Sequence, residues 1–332
     1  MINKFKGLGV AMVTPFNEKR EIDYPSVDKL VNHLVGGGVD YLVVLGTTGE
    51  SVVLSDSEKG ELVRFIVSKN KGRVPVVVGM GGNNTTAIIN TIKKFDFAGV
   101  DGLLSVTPYY NKPTQKGLEL HFKAIAGETN LPIILYNVPG RTGVNMTAET
   151  TLKLAKEVKN VLAVKEASGN LNQQAYILRD RPSDFLLISG DDGLVLPQIG
   201  LGFDGVISVV GNVIPKEFSS LIKFAMVGDY EKAREIHYKI IELIDCLFVD
   251  GNPAGAKAAL EIKGVIKNIL RLPLAPVNDS TYKKLEGLLS KLSFSFQFRL
   301  VKIIRLRLRC HTSTPLSYFD SAQYDCHPER LP

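Results

Sequence analysis

Short apolar runs rich in β-branched residues alternate along this chain with longer stretches whose apolar residues recur every three or four positions. The runs are G-L-G-V-A-M-V-T (7–14), V-D-Y-L-V-V-L-G (39–46), V-P-V-V-V-G-M (74–80), V-D-G-L-L-S-V-T (100–107), P-I-I-L-Y-N-V (132–138), V-L-A-V-K-E-A (161–167), F-L-L-I-S-G (185–190) and G-V-I-S-V-V (205–210). Between them lie Tyr24–Val35, Ser57–Ser68, Thr85–Phe97, Gln115–Ala126 and Ala148–Val158, each opening near a Ser, Asp, Asn or Thr fit to cap a helix. Near-continuous apolar strands alternating with helices predict a parallel sheet, and eight strands are the number that closes into a (β/α)8 TIM barrel. An open doubly wound sheet is the competing arrangement, but no glycine-rich dinucleotide fingerprint follows the first run.

Three further helical patterns, Tyr230–Leu247, Ala254–Ile269 and Ser280–Leu292, predict a small C-terminal helical appendage on the α/β barrel. The expected division is a catalytic barrel over 1–225, a helical region over 226–292 and an atypical basic tail over 293–332. In the tail, 294–308 partly alternates apolar and basic residues, compatible with an edge strand, a basic amphipathic surface helix or no selected structure; disorder is expected, the default for an untied terminus. Its Cys310-His311 and Cys326-His327 pairs resemble zinc ligands, yet adjacent residues seldom converge on one tetrahedral ion, so no metal is expected.

Composition narrows the function classes. The 332 residues are 45% apolar, enough for a large core. The formal charge is +6, half of it in 293–332, so the body is nearly balanced and carries no nucleic-acid footprint. No stretch is long and apolar enough for a membrane span, and the first twenty residues lack a secretory core. Three scattered cysteines give no disulfide framework. A cytoplasmic protein without a membrane partner is expected.

An α/β barrel carries its chemistry on the loops at the carboxyl ends of its strands. Those loops hold G-T-T-G-E (46–50), T-P-Y-Y-N-K-P (107–113), Y-N-V-P-G-R-T-G (136–143) and S-G-D-D (189–192), while the sixth run carries Lys165 itself. A lysine in an apolar run either pairs, with Glu166 the nearest carboxylate, or sits desolvated with a free amine able to form a Schiff base. Thr47 and Thr48 offer hydroxyls and amides to a carboxylate, or else merely turn the chain into a helix. Tyr136 would project its phenol near Lys165, and Arg141 could clamp a second carboxylate bidentately or serve as a surface cation. None of the five histidines falls in these loops, leaving tyrosine, threonine, lysine or water for acid–base work.

Taken in order, G-T-T-G-E-S, V-T-P-Y-Y-N-K-P, I-L-Y-N-V-P-G-R-T-G, V-K-E-A-S-G-N and S-G-D-D resemble the dihydrodipicolinate synthases of the class I pyruvate aldolase superfamily, over about Gly7–Leu292. The resemblance implies condensation of pyruvate with L-aspartate 4-semialdehyde, the committed step of the diaminopimelate route to lysine. It implies that Lys165 forms the imine with pyruvate, with no other cofactor, and that Tyr136 shuttles protons in a relay with Thr47 and with Tyr110 of a neighbouring subunit. It further implies that Thr48 binds the pyruvate carboxylate, that Arg141 receives the aldehyde's carboxylate, and that Gly190 and Ile207 supply backbone near the substrate. A homo-oligomer is implied, at least a dimer if Tyr110 acts across an interface, and a tetramer built as a dimer of dimers is the expectation. N-acetylneuraminate lyases and keto-deoxy sugar acid aldolases share the lysine and tyrosine but usually lack the arginine, which leaves them the alternative. A barrel reduced to a binding module is a third reading, against which the retained lysine argues.

The same resemblance bears on regulation. Lysine-inhibited members bind that amino acid near the tyrosine pair, where Ser51, Asn83 and Tyr109 stand here. Their glutamate for its amino group aligns with Ala87, and their histidines with Asp56 and Lys59, so weak or absent inhibition is expected.

Overall fold

The computed structural model describes residues 2–292, and the chain separates into two units, Met1–Leu289 and Ser290–Pro332. The readings made for 293–332 lie outside the described residues. The first unit contains eight strands: β1 Gly7–Ala11, β2 Tyr41–Val44, β3 Val76–Gly79, β4 Gly102–Val106, β5 Ile133–Asn137, β6 Val161–Glu166, β7 Leu186–Ser189 and β8 Gly205–Ser208. They pair in parallel in chain order, and β8 returns to β1 to close the barrel. Each strand is shorter than the run that predicted it, because residues at one or both ends of each run lie outside the ladder.

A helix follows every strand: Tyr24–Gly36, Asp56–Asn70, Thr85–Lys94, Gln115–Ala126, Ala148–Glu157, Leu171–Asp180, Val195–Leu201 and Pro215–Met226. The polar residues expected at their starts act as caps. Asp23, Asn84, Thr114, Thr147 and Asn170 each accept a first-turn N–H, and Ser55 forms a reciprocal capping box with Glu58. Each cap satisfies an orphan amide and contributes about 1 kcal/mol.

Side chains alternate between the barrel lumen and the helical layer. The lumen is filled by Ala11, Tyr41, Val43, Val77, Leu104, Ile134, Tyr136, Ala163, Leu186, Ile188 and Ile207, closed at the amino end by Phe5. Gly9 has no room for a side chain, since a Cβ there would lie 2.2 Å from the buried ring of Tyr41. One large lumen residue on β2 is thus fitted by a missing one on β1.

Two helices then extend the barrel, Tyr230–Cys246 and Ala254–Ile262, and another begins at 279. The second stops before the expected Ile269. Gly264 takes a left-handed φ of +66°, Val265 N–H bonds back to Leu260 C=O and Gly264 N–H to Glu261 C=O. That is a Schellman stop, and the apolar Val265 and Ile266 beyond it prolonged the helical pattern past its end.

Candidate active site

Lys165 reaches the lumen through strand periodicity. Ala163 faces inward, so Lys165 two residues on does too, and Ala167 continues the same line against the lumen cluster. Tyr136 is two residues beyond the inward Ile134 on β5, and the β5–β6 register sets it directly beside Lys165. The ammonium nitrogen Nζ lies 4.4 Å from the centre of the Tyr136 ring, and Lys165 is only 5% exposed. Burial pulls the amine down from 10.5 to about 8; buried Asp192 resists the shift and the cationic Arg141 adds to it. At pH 7 roughly one such lysine in ten carries a free amine, against fewer than one in a thousand at an ordinary pKa.

The competing reading, an ion pair with Glu166, does not hold. Glu166 points to the other face of β6, where it accepts from Asn137 Nδ2 at 3.1 Å, the Ser168 N–H at 2.7 Å and Gln173 Nε2 at 3.1 Å. Burial raises its pKa. The lysine is left facing the cavity, and Gly190 makes space for its stem: a Cβ there would meet Lys165 Cε at 3.1 Å and Ala167 Cβ at 2.6 Å. Burial likewise pushes the Tyr136 phenol up to about 12, opposed by Arg141.

A cavity of about 220 Å³ opens over Lys165, lined by Thr47, Thr48, Tyr136, Arg141 and Gly190 among others. Thr47 and Thr48 begin the short 3-10 helix Thr47–Gly49 after β2, and Arg141 lies on the turn Pro139–Thr142 after β5. Arg141 is exposed and has no ion-pair partner among the described residues. A neighbouring space of about 250 Å³ shares Thr47, Tyr136 and Arg141 and extends to Ser51, Val52 and Tyr109. The arrangement joins a desolvated amine, a phenol, hydroxyl donors and a free guanidinium, which suits condensation of two carboxylate-bearing substrates.

Six of the eight expected residues therefore gather in one cavity. Ile207 is buried in the lumen on β8, outside that lining. Tyr110 stands apart at 89% exposure with a left-handed φ of +74°. Sequence reasoning missed Asn252 and Phe248, which reach the cavity from the chain between the two C-terminal helices. It searched only strand-end loops; the one signal was a polar G-N-P break between two helical patterns. Among the described residues no cluster of three or more His, Cys, Asp or Glu is placed to hold a metal ion, and no helix is long and apolar enough to cross a membrane.

The model of the Dihydrodipicolinate synthetase family matches residues 4–292. The chain belongs to that family. It is 54% identical over 288 residues to the 4-hydroxy-tetrahydrodipicolinate synthase of Parabacteroides distasonis, covering 87% of this chain and 97% of the relative. It is 50% identical over 289 residues to the enzyme of that name from Phocaeicola vulgatus, covering 87% and 97%. The fold superposes on the crystal structure of dihydrodipicolinate synthase from Aquifex aeolicus with a TM-score of 0.84 at 42% identity, over 87% of this chain and 98% of that one. In this family member, Ser51, Asp56, Lys59, Asn83, Ala87 and Tyr109 surround a further pocket of about 340 Å³. Those are the positions expected to bear on lysine inhibition.

Proposed function

We propose that this chain is a lyase that condenses pyruvate with L-aspartate 4-semialdehyde to 4-hydroxy-tetrahydrodipicolinate, the committed step of the diaminopimelate route to lysine. The family match and the names of its relatives support this reading over the sugar-acid aldolases. The observation that carries the mechanism is the buried Lys165 amine, held near pKa 8 beside Tyr136 at the floor of a cavity with an unpaired Arg141.

The neutral Lys165 amine attacks C2 of pyruvate, and the carbonyl oxygen departs as water once protonated, leaving an iminium. Loss of a C3 proton gives the enamine, whose C3 then bonds to the aldehyde carbon of the second substrate as the aldehyde oxygen takes up a proton. The amino group of that substrate next attacks C2, displaces Lys165 and closes the ring. Each step moves a proton at a site with little access to water. Tyr136 is the group in place to move it, its high pKa keeping it a proton donor at rest. Thr47 extends the relay toward the rim, Thr48 holds the pyruvate carboxylate, Arg141 receives that of the semialdehyde, and Gly190 supplies backbone near the substrate, as does Ile207 from the barrel lumen.

Tyr110 is too exposed to serve its own cavity and is assigned to that of a second copy. The working form is then at least a dimer, and we read it as a tetramer made as a dimer of dimers, acting in the cytoplasm with no metal or resident cofactor beyond the covalent imine. Incubation with pyruvate and borohydride should place a stable adduct on Lys165 by peptide mass mapping, and addition of aspartate semialdehyde should yield a cyclic product that a coupled reductase consumes. An adduct elsewhere, or none, refutes the mechanism.

A further inference from the structure

Asn252 is 92% buried, and its amide Nδ2 donates to Thr48 Oγ1 at 2.9 Å across 204 residues of chain. It lines the same cavity as Lys165, and its own Oδ1 is buried without a partner among the described residues. Asn252 thus meets Thr48 as a donor at the hydroxyl oxygen.

A hydroxyl has one proton. When Oγ1 accepts from Asn252, the Thr48 proton is not consumed by that bond and stays available to an acceptor in the cavity. The loop cannot drift from this arrangement, because it is gripped at two further points. Gly49 C=O accepts from Thr14 Oγ1 at 2.6 Å, and Glu50 forms a fully buried ion pair with Lys257, five residues beyond Asn252.

We propose that Asn252 is a positioning residue for the pyruvate carboxylate: it holds Thr48 by the hydroxyl oxygen so that the hydroxyl proton is presented to the substrate. This rests on the assignment of Thr48 to that carboxylate. The C-terminal helical region thereby takes part in substrate selection, favouring 2-oxo acids whose carboxylate lies against Thr48.

Asn252→Asp tests the polarity of the bond while preserving shape. A carboxylate only accepts, so it draws the Thr48 proton to itself and sets a negative charge beside the substrate's own. Pyruvate half-saturation, read by borohydride trapping and mass spectrometry, should rise about tenfold or more, while KM for the aldehyde changes less than about twofold. Asn252→Ala should give a smaller rise. The gap between the two variants should narrow as pH falls into the carboxylate range, since a protonated acid can again donate to Oγ1. Thr48→Val separates the two ideas. If it raises half-saturation but Asn252→Asp does not, or if the Asn252 variants impair both substrates equally without pH dependence, the proposal is overturned. If Thr48→Val has no effect, the carboxylate assignment itself is wrong and the proposal falls with it.

Discussion

Replacing Lys165 with methionine should stabilise the fold at neutral pH while abolishing imine formation. The native amine titrates at about 8 in place of 10.5, and at 5% exposure little solvent screens it. At 1.36 kcal/mol per unit, holding the ammonium in the lumen costs about 3 kcal/mol at pH 7. The sign follows from proton counts. Between pH 8 and 10.5 the unfolded chain binds the proton that the folded chain has released, so the parent gains stability as pH rises through that window. Below pH 8 both states are protonated and the full cost persists. Urea denaturation of the parent and Lys165→Met at equal protein concentration, from pH 6 to 10.5, should show an advantage for methionine that shrinks by about 2–3 kcal/mol between pH 7 and 10. Differences in packing add a constant and leave that slope intact. A difference that is flat, or that grows with pH, would mean that the lysine is solvated or paired, and the account of its reactivity would fail. The same titration requires the rate of imine capture in the parent to rise about tenfold per pH unit below 8 and level off above it.

Arg141→Ala should leave pyruvate trapping intact but cost about 2–4 kcal/mol in aldehyde recognition, seen as a KM increase of 30-fold or more; equal damage to trapping would show the roles misassigned. Free lysine should inhibit weakly, because the pocket around Ala87 offers no carboxylate at that position and presents Lys59, already paired with Asp56 at 3.4 Å. A missing charge-assisted bond is worth about 1.5–3 kcal/mol, so Ala87→Glu should lower the half-inhibiting lysine concentration by tenfold or more, and submillimolar inhibition of the parent would refute the reasoning. A chain ended at Leu292 should keep activity and oligomeric state, since the family match is complete there; loss of either would reveal a role for 293–332.

The barrel was legible because parallel strands are buried on both faces and so write themselves as short continuous apolar runs. Lys165 stood out against such a run, as a charge where the pattern demands none. The direction it faces was not legible in the same way. Adjacent Lys165 and Glu166 read as a pair, but strand alternation sends them to opposite faces, and the inward Ala163 together with the register beside Tyr136 on β5 says which of them enters the lumen. The end of the helix at Ile262 was hidden for a related reason: Val265 and Ile266 are apolar because they pack beneath a Schellman stop, and periodicity alone reads that as more helix.

The least legible part of the site is the part that comes from the C-terminal region. Lys257 sits in the alanine-rich G-A-K-A-A-L and looks like the polar face of an ordinary helix, yet it is fully buried with Glu50, its Nζ 4.2 Å from the centre of the Phe16 ring and bonded to Ile269 C=O at 2.8 Å. Nothing local marks either charge as buried, because each is tolerable only through the other. Removing one partner of such a pair costs about 3–5 kcal/mol, since the remaining charge stays uncompensated. Here that loss would fall on the residue that immediately follows Thr47, Thr48 and Gly49. Damage at Lys257 should therefore register at the mouth of the active site as well as in stability. The helical region holds the loop of Thr47 and Thr48 in place through Asn252 and Lys257, so the candidate site is built from it as well as from the barrel loops.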